Sequence, residues 1–462
     1  MKHPTYIVPL LAALASSHPT AQTDSPTNEP NNSSSSLPTL ELSPDSNFNF
    51  NLIIALGNTL TGGADIGPVL GVAKNLIPGD FDAYSEEWYK LADLTKAQAE
   101  DPENAFDPVN VRDTWFSASH YFRRADENIH GDWENPLIDT LWEEQTAAFD
   151  MAIATLPIPG QRIQLPARSE RGNLNFTVEA IWYESPSTQY THKDGKRPTL
   201  IIGNGFDAAQ EDSYHYFVAP ALARGWNCIT YEGPGQPTVL RNQNLGFIPD
   251  WESALNPVVD YLFAEKDDVV DRERLVLIGN SFGGYLAARA AAFEPRLAAA
   301  ILIGGVWDAY PAFAGHLPED MVALYEEGNF SAFDSTVHAF RESGDMDSGA
   351  AFGLDHGLWA FRTQSPSEFF TQSKEYHIRD VVDQIDMPVF VGDAEFETFF
   401  RGQPQIVSEA LGERATLHVF NGTAGYHCQS GAVQEMTRTI HAWLHKVLPE
   451  NGSEEGVTVG AN

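Results

Sequence analysis

Along residues 48–156 the apolar positions return every three to four residues, as in SEEWYKLADLTKAQAE (85–100) and VRDTWFSASHYFRRADENI (111–129). That period places them on one face of successive helices, with turn-like stretches such as DPENAFDPVN between them and no strand. The recurring aromatics Trp88, Trp115, Phe116, Tyr121, Phe122, Trp133 and Trp142 are expected to form the core of a helical subdomain, a few of them facing an active site. After Pro157 the pattern changes. QRIQLPA (161–167) and LNFTVEAIWYE (174–184), separated by a polar turn, predict an antiparallel pair. Four apolar runs follow, TLIIGNG (199–205), WNCITYEG (226–233), RLVLIGN (274–280) and AAAILIGGVWD (298–308), with helical candidates such as YFVAPALARG and WESALNPVVDYLFAE between them. Short continuous apolar runs alternating with helices predict a doubly wound α/β sheet whose parallel core is covered on both faces. Mostly helical sequence at about 309–385 interrupts that rhythm and is taken as a cap insertion. MPVFVGDA (387–394) and ATLHVFN (415–421) then complete eight strands, before a last helix in AVQEMTRTIHAWLHKVL.

The fifth of these strands runs directly into GNSFG (279–283) and an alanine-rich helix. This fits G-x-S-x-G, a tight strand-to-helix turn that lifts a serine oxygen, here that of Ser281, clear of the sheet. The new helix turns unpaired amides toward the space above Ser281, and the amide of Phe282 is the first candidate to stabilise an oxyanion there. The second is expected from the loop after the third strand, GNGFD, at Gly205 or Phe206, with Asp207 beside them. A serine hydroxyl needs a base and a group to orient that base, in the chain order serine, acid, histidine. Of 14 histidines, His427 holds the required place, six residues past the last predicted strand and just ahead of the final helix. Two carboxylates compete for the acid, Asp393 and Glu397. Glu397 is favoured because it lies in the loop after the strand, and Asp308, at the end of the sixth predicted strand, is the next candidate.

Lysine and arginine number 28 against 64 aspartates and glutamates, a formal charge of −36, which repels nucleic acid and anionic membrane surfaces. A transmembrane helix is not expected, since no run of 18 apolar residues follows the N-terminus. Residues 1–21 predict a secretory signal: Lys2 opens it, the apolar stretch runs from Tyr6 to Ala15, and Ala15-Ser16-Ser17 is the small-residue cleavage site. Six N-x-S/T sequons, at Asn31, Asn32, Asn175, Asn329, Asn421 and Asn451, agree with secretion and glycosylation. Polar residues 22–39 and 449–462 are expected to be disordered, as linker and tail. The helical region is thus 40–156 and the sheet domain 157–448. Two cysteines, Cys228 and Cys428, make no disulfide framework, and they are not expected to be bonded to each other.

The segments GGADIGPVL (62–70), GDFDAYSEEWYKLA (79–92), GNGFDAAQED (203–212), YEGPGQPTVLRNQNLGFIPDWE (231–252), GNSFGGYLAARAAAFEPRL (279–297) and HCQSGA (427–432) resemble the fungal α/β-hydrolases of secondary-metabolite clusters. The likeness is greatest to those of the fusarin and cytochalasan clusters. More distant are polyketide-shortening hydrolases, the dihydroxypseudooxynicotine hydrolase and the fermentation-respiration switch proteins. It runs over residues 48–445 and rests most on YEGPGQP with DWE. It implies an α/β-hydrolase fold, a mostly parallel eight-stranded sheet with the N-terminal helices folded over it as a lid. It also implies chemistry on a polyketide or polyketide-peptide carbonyl: ester hydrolysis, carbon–carbon cleavage beside a ketone, or ring closure. Two features depart from the family, the histidine lead-in TAGYHCQ and the secretion signal. The resulting expectation is a serine hydrolase acting on an ester, thioester or ketone-adjacent carbon–carbon bond of a polyketide-like small molecule, without metal or organic cofactor. A secreted general carboxylesterase and a non-catalytic binding protein on the same fold are the alternatives. The oligomeric state is left open, with a homodimer among the options.

Overall fold

Helices dominate the first hundred residues that the computed structural model describes, which are 38–187 and 195–448 in all. The expected signal, the linker up to residue 37, the tail, and the sequons Asn31, Asn32 and Asn451 lie outside the described residues. The N-terminal helices, called the lid below for the role expected of them, are α1 (Ser46–Asn58), α2 (Ile66–Asn75), α3 (Phe81–Glu100), α4 (Pro108–Asp126) and α5 (Leu137–Ile153). Three of them start on an aspartate cap: Asp45, Asp80 and Asp107 accept from the amides of Phe48, Ala83 and Asn110, satisfying donors the helix leaves unpaired. Trp88 of α3 meets Tyr84 and Tyr121 at ring distances of 6.2 and 5.8 Å, so part of the predicted aromatic set forms the seam between α3 and α4, while Phe116 packs on Phe149 of α5 and Trp142 lies against Arg241. Trp133 departs from that expectation: it is half-buried beneath Arg362.

The strands are β1 (Gln161–Ser169), β2 (Leu174–Tyr183), β3 (Arg197–Gly203), β4 (Asn227–Glu232), β5 (Val270–Asn280), β6 (Ala299–Ile303), β7 (Val389–Ala394) and β8 (Ala415–Phe420). They form one sheet in the order β1-β2-β4-β3-β5-β6-β7-β8. β2 runs antiparallel to β1 and β4, and the rest are parallel. Leu275–Ile278 and all of β6 are buried on both faces, the physical reason these strands read as unbroken apolar runs; each buried valine, leucine or isoleucine side chain contributes about 1.5–3 kcal/mol. The connecting helices are α6 (Ala219–Leu222), α7 (Pro237–Gln243), α8 (Glu252–Glu265) and α9 (Gly283–Ala291). The cap between β6 and β7 holds α10 (Ala309–Ala314), α11 (Glu319–Glu326), α12 (Phe330–Ser343), α13 (Ser348–Ala360) and α14 (Pro366–Ser373). Then α15 (Gln403–Leu411) and α16 (Val433–Val447) close the chain. Two details differ from the sequence pattern. The segment before α6 opens with a wide π turn, Tyr214–Val218, and β6 stops at Ile303, so Asp308 belongs to the start of α10 and not to a strand.

Among the described residues no helix is long and apolar enough to cross a membrane. The sequons Asn175, Asn329 and Asn421 are exposed. The lid is packed into the sheet domain: Phe116 stacks on Tyr214 at 4.5 Å, and Gly57 of α1 abuts Gly431 beside the last helix. A chain starting at Leu156 is therefore expected to be insoluble or inactive; a soluble truncation with parental turnover would contradict this.

Candidate active site

β3, β5 and β6 end level with one another, Gly203 beside Gly279 and Asn280 beside Ile303, so their loops share one rim. Doubly wound sheets bind ligands at this carboxyl edge. There Ser281 is held at φ +59°, a left-handed conformation unusual for a residue with a side chain. Neighbouring glycines make it possible. A Cβ at Gly279 would lie 1.9 Å from the Gly283 carbonyl, and one at Gly284 2.1 Å from that of Gly304. The Ser281 amide donates to Ile303 O (2.8 Å) and its carbonyl accepts from Gly284 N (2.8 Å), which fixes the turn while the hydroxyl projects upward.

The Ser281 hydroxyl donates to Nε2 of His427 at 2.8 Å, and His427 Nδ1 donates to Glu397 Oε2 at 2.7 Å. The other Glu397 oxygen accepts from the amides of Phe399 (2.8 Å) and Phe400 (3.2 Å). Burial works against the charged form of Glu397, but His427 and these amides outweigh it and hold the carboxyl below its ordinary range. For His427, burial disfavours the imidazolium, yet Cys428 and Glu397 beside it raise the ring well above the usual histidine value. The other two carboxylates are engaged elsewhere. Asp393 accepts from Gln405 on α15 and burial raises its carboxyl. Asp308 caps Tyr310 N at 3.1 Å and pairs with Arg379.

Above Ser281 lies a pocket of about 380 Å³. Its apolar wall includes Phe50 and Ile54 of the lid, Phe313 and Phe352 of the cap, and Phe396 and Phe399 of the acid loop. Phe206 also lines it, and Gly205 lies so close to the elbow that a Cβ there would be 2.8 Å from Phe282 N. The expected oxyanion donors Phe282, Gly205 and Phe206 thus stand at the serine. Sequence reading missed a polar wall from α1 and α4: Arg124 donates to Asn51 Oδ1 (3.0 Å) and pairs with Glu127 (3.0 Å). Burial pushes Glu127 up to about 7. The signal was available, since the charged run RRADE sits in an otherwise aromatic helix. Among the described residues no group of three or more His, Cys, Asp or Glu is placed to hold a metal ion.

Both cysteines are free and buried. Cys428 Sγ lies 3.3 Å from His427 Nε2 and lines the pocket, whereas Cys228 is in β4, its thiol pushed up by burial. Iodoacetamide is expected to alkylate Cys428 first, with loss of any Ser281 reactivity, and Cys228 only on unfolding. Peptide mapping at partial labelling checks the order, and a denatured, non-reduced thiol count other than two would contradict the free state of both.

Comparison with known proteins agrees with the fold. A model of the alpha/beta hydrolase family matches residues 200–432. The hydrolase acrC of Aspergillus aculeatus is 28% identical over 415 residues, covering 87% of this chain and 96% of its own. The 20-hydroxy-prefusarin hydrolase FUS2 of Gibberella moniliformis is 26% identical over 423 residues, covering 86% and 95%. Among solved structures, the 2,6-dihydroxy-pseudo-oxynicotine hydrolase superposes with a TM-score of 0.63 at 20% identity, over 85% of this chain and 95% of its own. That likeness is one of fold.

Proposed function

The chain belongs to the alpha/beta hydrolase family and is a hydrolase related to those of fungal secondary metabolism; from this we propose that it is a serine hydrolase acting on a carbonyl group of a polyketide-like small molecule. The observation that carries the reading is the unbroken chain Glu397–His427–Ser281, with links of 2.7 and 2.8 Å, at the floor of a mostly apolar pocket. In this mechanism Ser281 Oγ attacks the carbonyl carbon while its proton passes to His427 Nε2. Glu397 holds the ring in the Nδ1–H tautomer and stabilises the imidazolium. The oxyanion is met by the amides of Phe282 and Phe206. Collapse expels the leaving group, which takes the proton from His427. Water, deprotonated by His427, then attacks the acyl-enzyme and releases Ser281. An alcohol or thiol leaves directly, while a carbon leaving group needs an adjacent carbonyl to carry its electron pair as an enolate. The pocket volume falls in the range of ordinary small-molecule sites, and its phenyl wall suits an apolar chain or ring.

The test is labelling by a fluorophosphonate, expected at Ser281 and blocked in Ser281→Ala. Absence of labelling would reject the reading in favour of a binding protein. Turnover of p-nitrophenyl esters spread evenly over chain lengths would favour a general carboxylesterase. Secretion is part of the same proposal, supported by the signal-like residues 1–21 and by the exposed sequons.

The state of His427 makes a pH prediction. Only the neutral ring accepts the serine proton, and the folded-state value stands well above the usual one, so activity is lost as pH falls through that raised value. The kcat/KM is expected to keep rising past the ordinary imidazole midpoint of about 6.5, roughly tenfold per pH unit on the acid limb. A plateau already reached near that midpoint would contradict it.

A further inference from the structure

The segment YEGPGQP (231–237) takes no part in the serine chemistry above, yet its tightly held turn sets the place of one side chain, Gln236. This residue is fully buried at the cap of α7. Its Nε2 donates to Asn204 O (2.9 Å) and Gly205 O (3.2 Å), and its Oε1 accepts from Gly233 N (3.1 Å). The Gly233 amide therefore decides which end of the Gln236 side chain faces the loop after β3. Gly233 has no room for a Cβ, which would lie 2.7 Å from the Trp251 ring, and Gly235 takes φ +86° hard against Phe247. Trp251 is tied in turn to Tyr231 Oη at 3.1 Å. Glu232 joins β4 to α7 by accepting from Thr238 N at 2.6 Å and from Gln210 N at 2.8 Å.

The loop that Gln236 grips is held along its whole carbonyl side. Phe206 O accepts from His356 Nε2 of the cap (3.0 Å) and Asp207 O from Arg123 of the lid (2.8 Å), so the carbonyls of residues 204 to 207 all accept from side chains. In a planar trans peptide the C=O and N–H point to opposite sides. The Gly205 carbonyl and the Phe206 N–H belong to the same peptide. Anchoring that carbonyl on Gln236 turns the Phe206 N–H away from the Gln236 side chain, and Phe206 itself lines the pocket.

We propose that Gln236 is the positioning residue of the oxyanion site: it holds the Gly205–Phe206 peptide in the orientation that lets the Phe206 amide donate to the developing oxyanion. The inference rests on the serine-hydrolase reading. His356 and Arg123 hold the next two carbonyls and cannot replace it, because glycine at 205 leaves that peptide free to rotate.

The experiment uses the full chain, an ethoxy-fluorophosphonate as probe, and two variants that remove the donor: Gln236→Met, which keeps length and shape, and Gln236→Glu, which keeps the acceptor for Gly233 N. The first-order labelling constant is expected to fall about 100- to 1,000-fold, the range for loss of one oxyanion donor, with the half-saturating probe concentration and the melting temperature little changed. A parent chain that does not label would overturn the serine reading beneath the inference. A labelling parent with folded variants that react at its rate, or lose only probe affinity, would overturn the inference alone. A structure of the parental adduct decides the matter if the variants do not fold. Its phosphoryl oxygen is expected about 2.7–3.1 Å from the Phe206 and Phe282 nitrogens, and an oxygen turned away from Phe206 N overturns the proposal.

Discussion

Replacing Ser281 by alanine is expected to lower kcat by about 10⁴ to 10⁶, the range for removal of a triad member in serine hydrolases, while the protein stays folded. The first half follows from the 2.8 Å bond to His427: Ser281 supplies the oxygen that would form the covalent bond, and water at the same place lacks its fixed approach. The second half follows from the backbone. The elbow is held by the amide and carbonyl of residue 281, by Ile303 and by the close glycines, none of which the substitution touches. Alanine at φ +59° bears much the same strain as serine. Glycine does not, so Ser281→Gly is expected to lose the same activity. Relief of that left-handed backbone offsets the added chain entropy of glycine in the unfolded state. Rate measurements with melting curves on both variants check this, and substantial turnover by folded Ser281→Ala would refute the mechanism.

Glu397→Gln is expected to cost about 10⁴ in kcat, as in the protease precedent in which the orienting carboxylate becomes an amide, and Asp393→Asn less than about tenfold. The side chains differ in what they face. Glu397 is 2.7 Å from His427 Nδ1 with its second oxygen on two amides, so an amide there presents either a donor to a donor or the wrong tautomer. Asp393 is bound to Gln405, and its strand pairs with β8 at Val419, so its loss reaches His427 only indirectly. The same variants separate two roles through pH. Glu397 helps raise His427, so in Glu397→Gln the residual acid limb should move to lower pH, whereas in Asp393→Asn it should stay. The opposite ranking in folded variants would move the acid to Asp393.

The strands, the elbow and the place of His427 were legible in the amino-acid sequence because each rests on a local cause. A strand covered on both faces must be apolar without interruption, a turn that brings Gly279 within contact of Gly283 admits no side chain, and a histidine loop follows the last strand by chain order. The acid was not decided in that way. Asp393 and Glu397 are four residues apart in the sequence, and what separates them is the turn after β7, where Glu397 N bonds back to Ala394 O (3.0 Å) and Phe396 N to Gly425 O (2.8 Å). Those bonds fold the loop onto the histidine loop and turn Glu397 toward His427. Asp308 lost its place for a similar reason, since β6 ends earlier than its apolar run. The lid's Phe50 in the pocket and the grip of Gln236 on Gly205 were beyond local reading altogether, and the charged run that holds Arg124 and Glu127 did not tell what it would face. Periodicity reports which face of an element is buried, but not which distant element covers it. That choice is made when helices and sheet pack, and it is what brought a charged run and a phenylalanine to the pocket above one serine and a glutamine onto the loop beside it.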